Sequence, residues 1–140
     1  MLLERDIDLC EPSQEKCIRI GALFATGSGD SFISREVADT LGWAKREHYD
    51  PPYQHKAFGG QVVESDDAVR LRFKCQNGRY SGYIEFFVVD NAEPPVIIGA
   101  LAMEQMGMRF QLGKEPGEND IVLDCKSFPV GPIGFGGQTP

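Results

Sequence analysis

The segment from residue 17 to residue 33 limits the possible folds of this chain more than any other. An apolar run, Cys17 to Ala25, ends in the small-residue stretch Thr26-Gly27-Ser28-Gly29-Asp30. A short apolar run bounded by glycines is typical of a buried strand that ends in a tight loop. Ser34 can then cap a short helix over residues 35–41, with Gly42 just beyond its end. The segment therefore predicts a strand, a small-residue loop and a capped helix.

The middle of the chain also predicts strands. Apolar residues alternate with basic ones in Val69-Arg70-Leu71-Arg72-Phe73-Lys74-Cys75, which predicts one face inward and a solvated basic face. Asn77-Gly78 is a strong signal for a hairpin turn, and the return strand is predicted over residues 79–89. Gly59-Gly60 marks a second turn, between predicted strands 53–58 and 61–64. A second short helix is predicted over Ala100–Met106 and ends at Gly107. The expected class is all-β with one or two short helices.

Length and charge limit the classes of function. The 140 residues fit one domain, predicted over residues 1–126, followed by a Gly/Pro-rich tail over 127–140. The net charge of −7 excludes nucleic acid and anionic membranes as expected partners. Because neither an apolar run of membrane-spanning length nor a signal peptide is visible, we expect a soluble, cytoplasmic protein.

The cysteines and histidines do not form a recognisable metal or nucleophile motif. Cys10, Cys17, Cys75 and Cys125 are scattered without a Cys-x-x-Cys pair, so we expect reduced thiols. Pairing of Cys10 with Cys17 across a hairpin remains open. His48 and His55 accompany no serine or cysteine motif and are expected on the surface or in loops. No metal or organic cofactor is implied.

Several of these features, in order, resemble the retropepsin-like aspartic proteases. In that family an apolar strand ends in Asp-Thr-Gly or Asp-Ser-Gly, followed by residues such as Ser-Phe-Ile. Here Thr26-Gly27 and Ser31-Phe32-Ile33 match that pattern. A flap hairpin around Gly59-Gly60, a long hairpin, and Ile97-Ile98-Gly99 opening a short helix follow in the family's order. The resemblance covers roughly residues 17 to 112.

The resemblance implies a fold, an assembly and an activity. The fold would be a retropepsin-like closed β-barrel, one half of an acid protease. Since the chain has a single triplet, two copies would form a homodimer with a peptide or protein substrate at their interface. Thr26 would bond across the twofold axis, Gly27 would permit close backbone approach, and Asp30 would meet the substrate main chain. The flap tip that covers the peptide would consist of Ala57, Phe58, Gly59 and Gly60.

Ala25 occupies the position of the family's catalytic aspartate. The aspartic endopeptidase activity that the resemblance implies would therefore be absent from this chain, because a methyl group cannot exchange a proton with water. Ala25 is interpreted as an engineered replacement of aspartate; the alternative is a natural pseudoprotease that binds peptides without cutting them. An engineered replacement would also protect the tail from trimming by its own active parent at Phe128-Pro129 or Phe135-Gly136.

Two further interpretations of the segment are weaker. Gly27-Ser28-Gly29 is similar to a phosphate-binding loop, but Phe32 stands where a dinucleotide fingerprint requires glycine. The triplet could also lie by coincidence in a purely structural β-domain.

In the retroviral members an acidic residue and an arginine form an ion pair near the triplet. Gly29 and Ala100 stand at those two positions, so no charge is left unpaired.

Overall fold

The computed structural model describes residues 2–13, 16–41, 46–56, 62–74, 80–90, 92–107, 109–111 and 120–122. Within these residues the chain forms nine strands and two short helices. In chain order they are β1 (Leu2–Cys10), β2 (Cys17–Ala25), β3 (Ser31–Ser34), α1 (Arg35–Thr40), β4 (Arg46–Lys56), β5 (Val62–Lys74), β6 (Ile84–Val89), β7 (Val96–Gly99), α2 (Ala100–Gln105), β8 (Arg109–Gln111) and β9 (Asp120–Val122).

Seven of the strands form one sheet in the order β1-β2-β7-β3-β6-β5-β4, and β1 also pairs with β5 over Asp8–Cys10. Strand β7 lies between β2 and β3, parallel to the first and antiparallel to the second. The loop between β2 and β3 therefore passes over the end of β7. The mostly-β class predicted from the sequence is confirmed; a closed barrel remains a prediction.

The main core lies on one face of this sheet. Alternate residues of β1, β2, β5, β6 and β7 enter it, together with Ile33 of β3; Phe24, Phe73 and Ile98 are among them. The two helices contribute short apolar stripes to the same core, from Val37, Ala38, Ala102 and Met103, and the C-cap residue Met106 joins them. Because strand side chains alternate between faces, the residues between these core positions point to the opposite face.

Local signals position both helices as predicted. The Ser34 hydroxyl accepts a hydrogen bond from the Val37 backbone N–H at 3.3 Å, which caps α1. Helix α2 is followed by Gly107, whose φ of 69° is a conformation that favours glycine. Strand β2 also has its predicted bounds.

Two predictions for the long hairpin are wrong. Its return strand begins at Ile84 rather than at residue 79, because Ser81 exchanges hydrogen bonds with the Phe73 backbone outside the regular ladder. Arg72 is buried rather than solvated, and its guanidinium carbon lies 3.8 Å from the centre of the Tyr83 ring. The stacked ring replaces water around this cation.

The expectation of reduced thiols is wrong for Cys10 and Cys17, which form a disulfide. The reason is the strand β1, which the sequence analysis did not predict. It pairs with β2 in a register that sets Cys10 directly opposite Cys17. The disulfide thus closes the hairpin at the end distant from Ala25, which pairs with Leu2.

Several predictions fall outside the described residues: the flap tip over residues 57–60, the turn at Asn77-Gly78 and the tail over 127–140. The domain boundary at residue 126 stays a prediction. Among the helices of the described segments, none has the length and apolar character to cross a membrane.

Candidate active site

The predicted triplet begins at the end of β2, where Ala25 pairs with Gly99 at the end of β7. The loop that follows is held by its own polar groups. The Ser28 backbone N–H donates to the Ala25 carbonyl at 3.2 Å, and the Ser28 hydroxyl donates to the Asp30 carbonyl at 2.7 Å. At the start of β3, the Ser31 hydroxyl accepts from the Gly99 N–H at 2.9 Å. Small polar residues therefore fix the loop between the two strand ends.

Gly99 is required by the close approach of this loop. A Cβ at Gly99 would lie 2.7 Å from the carbonyl carbon of Asp30 and 2.8 Å from the carbonyl oxygen of Gly29, and closer still to the Asp30 oxygen. The backbone N–H groups that follow Gly99 also contact the loop. The Ala100 N–H donates to the Ser28 carbonyl at 2.7 Å, and the Leu101 N–H donates to the Gly29 carbonyl at 3.2 Å. The loop thus satisfies the first free N–H groups of α2.

The side chain of Ala25 lies on the sheet face opposite the main core. Phe24 belongs to the main core, so alternation puts Ala25 on the other face, together with Leu23 and its register partner Ile97. Ala25 is fully buried. Thr26 and Gly27, which follow it, are exposed at the surface. Position 25 is therefore buried at the base of an exposed turn.

An aromatic cluster covers this second face beside the loop. It consists of rings from β3, β4 and β6 whose centres lie 4.0 to 6.4 Å apart: Phe32, Tyr49, Tyr53, His55 and Phe87. Strand β4 carries three of them and pairs with β5 in an antiparallel hairpin. The aromatic side chains of β4, the strand predicted to lead into the flap tip, therefore lie on the triplet's side of the sheet.

His55 corrects a prediction, since it is neither exposed nor in a loop. It lies on β4, is 2% exposed, and its ring centre is 4.0 Å from that of Phe87. Its Nδ1 lies 2.7 Å from the Oδ2 of Asp30. Sequence reasoning missed this residue, although the spacing of Tyr53 and His55 puts both on one strand face.

Glu85 lies on the same face, and burial raises the pKa of its carboxyl group. The neighbouring Arg70 acts in the opposite direction, and the Tyr49 hydroxyl donates to Glu85 Oε2 at 3.4 Å. Burial, with the nearby Glu85 charge, also raises the pKa of Tyr49 to about 12. Asp30 adds a further negative charge near Glu85. The face beside the loop is thus acidic as well as aromatic.

A second acidic group, at the outer part of β4 and β5, has the spacing of a metal site. Ligand atoms of His48, Asp66 and Asp67 lie within 4.8 Å of one another. Arg35 already supplies positive charge there, at 3.3 Å from Asp67 and 3.6 Å from Asp66. His48 lies on the exposed side of β4, and its hydrogen bond to Asp67 raises its pKa. Contacts with Arg35 and His48 therefore explain why these two carboxylates lie close together.

Four of the predicted site residues are neighbours in the chain: Ala25 ends β2, and Thr26, Gly27 and Asp30 lie in the loop that follows it. The predicted flap residues lie outside the described part of the chain. As it stands, the loop offers a single carboxylate, that of Asp30. This carboxylate can accept a hydrogen bond, whereas the methyl group of Ala25 cannot exchange a proton with water.

Comparison with solved structures shows the same fold in retroviral-type proteases. EIAV protease, solved in complex with the inhibitor HBY-793, is 17% identical with a TM-score of 0.51, over 80% of this chain and 94% of that one. The retroviral protease-like domain of Ddi1 from Leishmania major is 15% identical with a TM-score of 0.50, over 74% of this chain and 78% of that one. No family model matches the sequence, and neither does any curated protein. The fold of this chain resembles that of retropepsin-like proteases.

Proposed function

We propose that this chain is a retropepsin-like aspartic endopeptidase that hydrolyses peptide bonds as a homodimer, in a form that lacks its catalytic aspartate. One observation carries the proposal. The triplet Ala25-Thr26-Gly27 begins where β2 ends beside Gly99, and the loop after it packs against β7 and α2. The likeness of the fold to retroviral-type proteases supports it.

The chemistry follows from an aspartate at position 25 in each of two subunits. Two carboxylates about 3 Å apart share one proton, because both cannot ionise at that distance. One then takes a proton from water while the other polarises the scissile carbonyl. Ala25 can do neither, so this chain binds peptides without cutting them. The proposed role of Thr26 is a hydrogen bond to the partner loop, that of Gly27 is to permit the close approach of backbone, and that of Asp30 is contact with the peptide main chain.

A second candidate is a natural peptide-binding pseudoprotease. The burial of Ala25 favours it, since a methyl group suits an enclosed apolar position whereas an aspartate there would lose its hydration. The two candidates share the peptide-binding cleft and the homodimer. They differ in what an aspartate at position 25 would do.

The test is the variant Ala25→Asp incubated with oxidised insulin B chain, a general endopeptidase substrate, between about pH 3 and 7. We expect cleavage products by mass spectrometry, together with shortening of the variant's own tail over residues 127–140. A folded Ala25→Asp dimer that cuts nothing over this range would refute the protease and leave the pseudoprotease. Sedimentation should show a dimer that Thr26→Ala weakens and Thr26→Ser preserves; a monomeric wild type would refute both candidates.

A further inference from the structure

His55 joins two parts of the candidate site that are distant in the sequence. It lies at the end of β4, immediately before the predicted flap, whereas Asp30 lies in the loop after the triplet. The 2.7 Å separation of His55 Nδ1 and Asp30 Oδ2 is that of a strong, charge-assisted hydrogen bond. The flap strand is thus joined to the triplet loop through one imidazole.

The ring of His55 has little freedom to turn. Phe32 meets it edge-on with ring centres 5.3 Å apart, and Phe87 and Tyr53 lie at 4.0 and 4.6 Å. Its Nε2 is buried and has no hydrogen-bond partner among the residues that the structure describes. An imidazole has one N–H when neutral, and a carboxylate accepts but does not donate. The N–H is therefore assigned to Nδ1, where Asp30 receives it, and Nε2 carries the unused lone pair.

Asp30 differs from His55 in its exposure. Its side chain is 36% exposed, and within the described part of the chain only Oδ2 has a hydrogen-bond partner. A carboxylate held through one oxygen keeps a fixed orientation, which leaves the other oxygen available to a ligand.

We propose that His55 is a positioning residue that holds Oδ2 of Asp30 and so presents Oδ1 to a main-chain N–H of a bound peptide. This inference rests on the proposed function, because it assigns the peptide to the same loop. His55 is then a part of the candidate site that lies outside the triplet, and the affinity for peptide depends on a hydrogen-bond donor at the position of its Nδ1. Phe32, Phe87 and Tyr53 set the ring plane and thereby the direction of that donor.

The experiment compares two amide variants of His55 in the full chain. In His55→Asn the amide nitrogen can take the place of Nδ1, whereas in His55→Gln the amide reaches the position of Nε2 and the donor to Asp30 is lost. The probe is fluorescein-labelled oxidised insulin B chain, with its Kd measured by anisotropy. We expect the Kd of His55→Asn within about threefold of wild type, and that of His55→Gln and of Asp30→Asn roughly tenfold weaker, the value of one charge-assisted hydrogen bond.

Two further measurements separate positioning from folding and from the proposed function. Melting temperatures should be similar in the two amide variants, since both lose the same imidazole from the aromatic cluster. Nitrogen-15 NMR of the wild-type imidazole should show the proton on Nδ1 in the neutral form. Equal Kd values for His55→Asn and His55→Gln, or a proton on Nε2, would overturn the proposal. A wild type that does not bind the probe would overturn the proposed peptide binding and the role of His55 in it, while the NMR signal would still report the bond to Asp30.

Discussion

Replacing Gly99 by alanine tests whether the candidate site depends on the close contact between β7 and the triplet loop. The added Cβ would meet backbone atoms of Gly29 and Asp30 at 2.8 Å or less. Backbone cannot turn away as a flexible side chain can, so the loop or the strand end must shift. Overpacking of this kind costs about 1–3 kcal/mol, and a backbone clash belongs at the upper end.

The matched control is Gly29→Ala in the same loop. A Cβ at Gly29 would have no atom within 4 Å, and the residue does not adopt a positive φ. This variant should change stability by less than about 1 kcal/mol, with a small gain from the lower entropy of its unfolded chain. The two variants add the same methyl group, so a difference between them measures the contact and not the loss of a glycine.

The assay is thermal unfolding followed by circular dichroism. For a chain of this length, about 3 kcal/mol corresponds to a lower Tm by about 10 °C, and the control should lie within about 3 °C of wild type. The Gly99→Ala variant should also lose affinity for labelled insulin B chain, because the loop it displaces carries Asp30. If both alanine variants have the same Tm as wild type, the loop does not lie against Gly99, and the contact between β7 and the triplet loop is refuted.

Two other perturbations test the surroundings of the site. Because burial raises the pKa of Glu85, the folded chain binds more protons than the unfolded one near pH 4.5 and above, so the Glu85 contribution to stability falls as the pH rises through this range. Glu85→Gln should remove this loss and raise the free energy of unfolding at pH 7 by under about 1 kcal/mol, since the group is only half buried. Urea unfolding at pH 4 and pH 7 measures the change in stability between the two pH values, and an equal change in wild type and variant would contradict the prediction. The double variant Cys10→Ala, Cys17→Ala should lose about 2.5 kcal/mol, the loop-closure entropy for a separation of 7 residues, and reduction of the wild type by dithiothreitol should give the same shift in the urea midpoint.

Much of the fold was predictable because its signals are local. Ser34 and Gly107 mark helix ends through the conformation of a single residue, and β2 is a run of apolar side chains between polar ones. Strand β1 was not predicted. Its buried residues Ile7 and Leu9 alternate with aspartates, but β1 forms only because β2 and β5 provide pairing partners on its two sides.

The candidate site also has one part that the sequence predicts and another part that depends on long-range contacts. The triplet loop could be found from the sequence because its small residues are contiguous. What holds the loop comes from a distance: Ser31 receives the N–H of Gly99 across 68 residues, and Asp30 meets His55 across 25. A histidine between polar neighbours has no pattern of its own, and its burial depends on Phe32 and Phe87 from two other strands.

These long-range contacts determine what an aspartate at position 25 would require. The loop is held by β7, by α2 and by His55, and none of these contacts uses the side chain of Ala25. The backbone at this position is therefore fixed independently of the residue that occupies it. A carboxylate introduced there would meet a preformed loop, and in the proposed homodimer the cost of burying it would be offset by a proton shared with the second subunit rather than by a change of fold. In the proposed homodimer, the dissociation constant of Ala25→Asp should therefore be lower near pH 4, where the two carboxylates share one proton, than near pH 7, where both would ionise and repel each other; sedimentation at the two pH values measures the difference, and a tighter dimer at pH 7 would contradict the shared proton.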